Sequence, residues 1–206
     1  MPIVYGMTIA EYAGMVNEEG WLKNSVKCKL KYVPVFNYNH SYYYILPVKP
    51  SPNLPNMNSV YLYPSLGLFE GTIISVGRGT DLPFQIIGHP DLKNGNYSFT
   101  PVTKPSAQNP LYMGKLCNGF KLDEFADFYI KNLKQIYLFW LSATYKNLGS
   151  KGDFFNSYFN QLAGNSKLKQ QIVDGVNEDD IRKSWEPEIA KFKKIRKRYL
   201  LYPDFE

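Results

Sequence analysis

Ile73-Ile74-Ser75-Val76-Gly77-Arg78-Gly79-Thr80-Asp81-Leu82-Pro83-Phe84-Gln85-Ile86-Ile87-Gly88 is the stretch on which the fold class turns. Two short β-branched runs, Ile73–Val76 and Phe84–Ile87, flank a loop in which glycines bracket Arg78 and Pro83 marks the exit. That pattern predicts two strands joined by a built loop. Upstream, Leu68-Phe69 is strand-like; downstream, Tyr97–Val102 and Gly119–Leu122 give two further strands.

After Asp123 the signals become helical. Asp123 caps a helix reaching about Tyr145, with Phe125, Tyr129, Ile136, Trp140 and Ala143 on one face. Helices near Asp153–Ala163 and Ser166–Val173 follow, then one from about Asn177 that Pro187 can either break or kink. Towards the other end, Thr8 and Glu11 form a capping box that starts a helix running to about Trp21. Val26 to Val33 alternates apolar and cationic residues, a half-buried strand with Cys28 inside it as a buried free thiol. Pro34–Pro64 holds six prolines and reads as a long ordered surface loop. Strands first and helices last, without βαβ alternation, is an α+β layout. The expected architecture is a mixed sheet with the C-terminal helices packed on it. Residues 1–24 make a linking helix, 25–122 the strands and cleft loops, and 123–206 the helical part.

The 206 residues are 44% hydrophobic and 20% charged, enough apolar material to bury a core. Aromatics reach 16%, so rings either fill that core or line a sugar-binding groove. The formal net charge of +6 resides in Arg182–Arg198, where eight basic residues face two acidic ones. Ile181, Trp185, Ile189, Phe192, Ile195 and Tyr199 form an apolar stripe there, so the cations read as the solvated helix face rather than a nucleic-acid surface. The longest apolar run, Ile136–Leu141, is far short of the roughly 20 residues that cross a bilayer. The N-terminus has no secretory pattern. Cys28 and Cys117 permit one disulfide at most.

Glu70 stands between an apolar run and a glycine, where a carboxyl can sit at a cleft mouth with one dry wall. Such a site suits a glycosidase acid; the plainer reading is a surface glutamate. Arg78 is either a loop-bridging arginine or a fork for a carboxylate or phosphate. The loop is no Walker motif, since the spaced Gly-Lys-Ser/Thr is missing. His40 and His89 lack neighbours at metal-ligand spacing, no Ser-His-acid order is recognisable, and no metal or cofactor is implied.

Phe69-Glu70-Gly71-Thr72, Ser75, Gly77-Arg78-Gly79-Thr80, Pro83-Phe84 and Gly88 together resemble the signature of the NamZ exo-β-N-acetylmuramidases. Tyr5-Gly6-Met7-Thr8 with Glu11-Tyr12-Ala13, Asn17-Glu18 and Gly20-Trp21-Leu22 is similar to the segment just before that family's C-terminal domain. Pro50-Ser51-Pro52-Asn53-Leu54-Pro55 resembles its proline-rich cleft loop, and Phe99-Thr100-Pro101 and Tyr199-Leu200-Leu201-Tyr202-Pro203 also fit. The resemblance implies a two-part enzyme, with a Rossmann-like N-terminal domain and an α+β C-terminal domain around a cleft. Its substrate is the terminal N-acetylmuramic acid of peptidoglycan fragments, met in the periplasm or outside the cell.

On that resemblance the chain is expected to be the C-terminal half, lacking the Rossmann-like domain and inactive without it. Glu70 is the expected catalytic carboxyl. Arg78, Thr72, Ser75 and Thr80 are the expected substrate-binding residues, with Arg78 on the lactyl carboxylate. The alternative for Arg78 is a pair with Glu70 that pins the loop. Retaining, inverting and substrate-assisted routes all remain open, as does a non-catalytic module that binds muropeptides or another acidic glycan.

Overall fold

The structure, a computed structural model, describes residues 1–148 and 153–206. The chain forms two compact units, one of residues 1–44 and 182–206, the other of residues 45–181.

In the first unit, α1 (Ile9–Glu18) starts at the capping box: Glu11 Oε2 accepts from Thr8 N–H at 2.7 Å, and Thr8 Oγ1 accepts from Glu11 N–H at 3.4 Å. The Glu11 side chain is buried, and both its oxygens are bonded. Oε1 meets His40 Nε2 at 3.0 Å and the Leu201 N–H at 2.7 Å; Oε2 also takes the Thr8 hydroxyl at 2.9 Å. These bonds hold the Glu11 carboxyl below its ordinary range, although burial, the largest single influence, pushes the other way. Arg196, on the final helix, forks onto Asp204 at 2.7 and 2.8 Å and donates to Gly6 O at 2.8 Å. The C-terminal tail is thereby tied both to α1 and to the Arg196 helix.

Val26 to Val33 is exposed and lies in no described ladder, contrary to the expected strand. Alternation makes a strand only where a neighbour takes the backbone bonds. Here the side chain of Asn17 takes that part instead, bonding both the N–H and the C=O of Cys28 at 2.8 and 3.2 Å. Cys28 is accordingly an exposed free thiol, not a buried one.

The second unit contains a three-stranded sheet of β1 (Ile86–His89), β2 (Tyr97–Phe99) and β3 (Cys117–Lys121), in spatial order β1-β3-β2. Both pairings are antiparallel, so the sheet is not the expected mixed one. Parallel neighbours need a crossover, usually helical, and no helix occurs between Ile86 and Lys121. At the centre of the ladder Gly119 faces Gly88; a Cβ there would stand 1.7 Å from Ile87 O.

Helix α2 (Met57–Leu66) begins inside the segment expected to be loop and runs two residues past it. Asn56 caps it, accepting from the Ser59 N–H at 3.0 Å, and Pro64 is tolerated in its last turn. A 3₁₀ turn (Gly67–Gly71) replaces the strand-like reading of Leu68-Phe69, and of Ile73–Val76 only Ser75 pairs, in an isolated bridge with Gly88.

The expected long helix from Asp123 is broken into α3 (Asp123–Phe125), a π-helical turn (Ala126–Ile130), α4 (Lys131–Leu133) and α5 (Phe139–Asn147). Lys134 is left-handed at φ 49°. Beyond it the Tyr137 N–H goes to Ser65 Oγ at 2.9 Å and the Leu138 N–H to Glu178 Oε1 at 2.7 Å. Side chains take the donors that a continuous helix would use.

Next come α6 (Phe159–Ala163), α7 (Lys167–Val173) and α8 (Glu178–Arg196), the last counted with the first unit from Arg182 onward and running through Pro187 as one helix. In contrast to the expected packing on the sheet, α6 lies on the 3₁₀ turn and α7 on α5 and α6. The buried core there includes Leu66, Phe69, Phe84, Leu141, Phe154 and Phe159.

Candidate functional site

Glu70 projects from the 3₁₀ turn between α2 and the irregular run that leads to β1. The turn cannot move far. A Cβ on Gly71 would lie 2.5 Å from Phe159 Cα, so α6 packs directly on its backbone. Asn156 clamps it from the same side: its N–H donates to Gly71 O at 2.9 Å and its Nδ2 to Glu70 O at 3.2 Å. Thr72 pairs with Phe155 in a single bridge.

Glu70 Oε1 accepts from Arg78 Nη2 at 2.6 Å, with 27% of the glutamate and 37% of the arginine side chain exposed. The two residues singled out in the sequence therefore meet as a half-buried ion pair. The Arg78 guanidinium carbon stands 5.3 Å from the centroid of the Phe84 ring, a cation–π distance. Arg78 Nε is enclosed and has no hydrogen-bond partner among the described residues. Phe84 adopts a left-handed φ of 55°, rare for a bulky residue, and its N–H is held by Val76 O at 2.7 Å. Its ring packs edge-on against Tyr63 with centroids 4.9 Å apart. A strained backbone under an arginine that contacts a carboxylate is a feature of sites built for more than packing.

The glycines on either side of Arg78 are needed. Gly77 and Gly79 have φ of 75° and 82°, and a Cβ on Gly79 would meet Val102 O at 2.6 Å. The other expected binding residues turn their hydroxyls inward. The Thr72 hydroxyl donates to Phe69 O at 2.8 Å and the Thr80 hydroxyl to Gly77 O at 2.7 Å, while Ser75 Oγ accepts from the Gly77 N–H at 3.3 Å. Thr72 and Ser75 are buried. These three hydroxyls brace the loop, and none of these bonds goes to Glu70 or Arg78.

Asn156 and the Phe84 platform were not legible as site residues. Asn156 is 86 positions from Glu70, and no local pattern couples them. Tyr112 supports the same region by donating its hydroxyl to Ile73 O at 2.7 Å, and burial pushes that hydroxyl up to about 12. Burial likewise pushes the Cys117 thiol up to about 11, so it is a poor nucleophile. Among the described residues no group of three or more His, Cys, Asp or Glu could hold a metal ion, and no helix is long and apolar enough to cross a membrane.

Comparison with known proteins places these features. The C-terminal model of the exo-β-N-acetylmuramidase NamZ family matches residues 61–202, and its N-terminal model matches residues 1–58. The chain is 32% identical to the peptidoglycan β-N-acetylmuramidase NamZ of Bacillus subtilis (strain 168), covering 98% of this chain and 51% of that protein. It also superposes on the crystal structure of a DUF1343 family protein from Bacteroides fragilis NCTC 9343 with a TM-score of 0.95 and 46% identity, over 99% of this chain and 57% of that one. The chain thus spans about half the length of these relatives.

The N-terminal match corrects two expectations. Residues 1–58 belong with the family's N-terminal domain, so the chain is not the C-terminal half alone, and the reading that it lacks N-terminal-domain sequence fails with it. The sequence resemblance had assigned those residues to a linker and cleft loop, because their capping box and proline run are local features that do not say which domain they serve.

Proposed function

Because the chain belongs to the NamZ exo-β-N-acetylmuramidase family, we propose that it is a glycoside hydrolase that releases terminal N-acetylmuramic acid from peptidoglycan glycans. The observation that supports this most is the Glu70–Arg78 pair, a carboxylate at 2.6 Å from a guanidinium on a turn fixed from behind by α6 and Asn156. Glycoside hydrolysis needs a carboxyl beside the anomeric carbon, to move a proton or to offset the positive charge that develops there. Glu70 fills that role in our reading. With its Nη2 committed to Glu70, Arg78 acts first as a positioning residue, aiming the carboxylate and fixing the loop.

The 2-acetamido group of the substrate supplies a second oxygen within the sugar itself. In a substrate-assisted route its carbonyl oxygen attacks the anomeric carbon as the glycosidic bond breaks, and the leaving oxygen takes a proton from an acid or from water. Water then opens the resulting oxazoline, and one enzymic carboxylate orients the acetamido group. The reaction would take place where peptidoglycan lies, in the periplasm or outside the cell. The test is turnover of a chromogenic β-N-acetylmuramide by the purified chain, alongside calorimetry with N-acetylmuramic acid. Release of chromophore well above the buffer rate supports the hydrolase. Saturable binding with no release would replace it with a non-catalytic muropeptide-binding module.

A further inference from the structure

The loop that carries Arg78 is closed at its neck by one bond, from the Phe84 N–H to Val76 O at 2.7 Å. Its closing residue holds a φ of 55°, a conformation that glycine or asparagine adopts far more readily than a bulky side chain. Such a backbone persists where its surroundings over-determine it. Here the ring is fixed on every side: it is 1% exposed, edge-on to Tyr63 at 4.9 Å, and 5.3 Å from the Arg78 guanidinium carbon. The phenylalanine therefore occupies a position its backbone disfavours, and its ring lies under the arginine of its own loop.

Arg78 uses little of its hydrogen-bonding capacity. Nη2 donates to Glu70 Oε1 at 2.6 Å, Nε is enclosed without a partner, and no described residue bonds Nη1 or Glu70 Oε2. Arginine and a carboxylate frequently pair through two parallel bonds instead. The chain contains such a pair. Arg196 gives Nη1 and Nη2 to the two oxygens of Asp204 at 2.7 and 2.8 Å, and Nε to Gly6 O at 2.8 Å, so all three of its nitrogens are used in a structural tie. An aromatic ring does not by itself prevent the fork, since the Arg196 guanidinium also stands 4.8 Å from the centroid of the Phe205 ring. What differs at Arg78 is that one closed loop fixes both partners. Gly77 and Gly79, at φ 75° and 82°, set the backbone on either side of the arginine, and the bond to Val76 sets that of Phe84. A second bond to Glu70 requires the guanidinium to turn, and attraction to the ring face opposes that turn.

We propose that Phe84 is a positioning residue of the hydrolytic site, which holds Arg78 to a single bond so that Glu70 Oε1 is tethered and Oε2 stays free for the substrate. The proposal rests on the hydrolase reading above and adds to it which oxygen of Glu70 reacts and what keeps that oxygen unbonded.

Phe84→Leu keeps an apolar side chain in the core and removes the aromatic face, whereas Phe84→Tyr keeps the face. On a chromogenic β-N-acetylmuramide, Phe84→Leu should lower kcat about three- to thirtyfold, the range of a cation–π contact, with KM within about twofold. Phe84→Tyr should bring kcat back to within about threefold of the parent. In an Arg78→Met background the leucine substitution should change kcat by no more than about twofold, because the ring acts through the guanidinium. A readout that needs no turnover is the Nε–Hε signal of Arg78 in the NMR spectrum of the whole chain. The ring face should move it upfield and enclosure should protect it from exchange with water; Phe84→Leu should abolish the upfield shift. A chain that turns over no muramide yet shows this signal would remove the hydrolase reading and leave the ring-held arginine standing. An equal loss of kcat in the leucine and tyrosine variants, or an undiminished loss in the Arg78→Met background, would overturn the proposal. If Phe84→Leu fails to fold, the parent signal decides: an Arg78 Hε with no ring shift and free exchange would overturn it as well.

Discussion

Arg78→Lys separates positioning from substrate binding. The substitution keeps a cation but loses the planar fork, the 2.6 Å bond from Nη2 to Glu70 and the stacking over Phe84 at 5.3 Å. A charge-assisted hydrogen bond contributes about 1.5–3 kcal/mol, and the partial exposure of both side chains places this one at the lower end. About 1.4 kcal/mol is a factor of ten. If the bond serves to aim Glu70, that loss falls on the transition state. Steady-state kinetics on a chromogenic β-N-acetylmuramide should then show kcat lowered about tenfold, with KM changed by no more than about twofold. A KM raised tenfold or more with kcat intact would refute the reasoning and place the guanidinium on the lactyl carboxylate of the substrate.

Two further outcomes concern stability. Gly71→Ala drives a methyl group to 2.5 Å from the Phe159 backbone, which cannot rotate away, and should cost about 1–3 kcal/mol, read as a lowered Tm. Glu11→Gln should also lower Tm at neutral pH, because the buried carboxylate accepts four hydrogen bonds. Since the folded carboxyl is held below its ordinary value, its contribution is present above about pH 4.5 and fades as the pH falls through the lower folded value. The Tm difference between parent and Glu11→Gln should therefore shrink in acid, and a difference that grows there would contradict the sign.

What the sequence revealed about the fold was what neighbouring residues decide among themselves. The Thr8–Glu11 capping box needs only four consecutive residues, and it forms as read. The expected strands Phe84–Ile87, Tyr97–Val102 and Gly119–Leu122 overlap the three observed ones, with their ends shifted by a few residues. Failures came where a distant group settled the outcome. Val26 to Val33 alternates like a strand, yet Asn17 takes the bonds of Cys28. The apolar stripe after Asp123 is periodic enough for one helix, but Ser65 and Glu178 capture the N–H groups at Tyr137 and Leu138. At the candidate site, Glu70 and Arg78 were visible because an acid and an arginine between glycines lie eight residues apart. Asn156 was not, since its role is created by the fold alone. Thr72, Ser75 and Thr80 were legible as loop residues, but their hydroxyls point at backbone carbonyls and amides that a sequence cannot locate.

On the proposed function, Glu70 is the carboxyl that acts on the glycosidic bond. Glu70→Gln keeps the shape and a hydrogen-bond acceptor for Arg78 while removing the charge and the proton-transfer capacity. Its kcat on a chromogenic β-N-acetylmuramide, measured beside the parent chain after matched folding has been verified by circular dichroism, is the direct test. A fall of about a hundredfold or more is expected, the usual contribution of a general acid or base. Turnover within about threefold of an active parent would remove Glu70 from the chemistry.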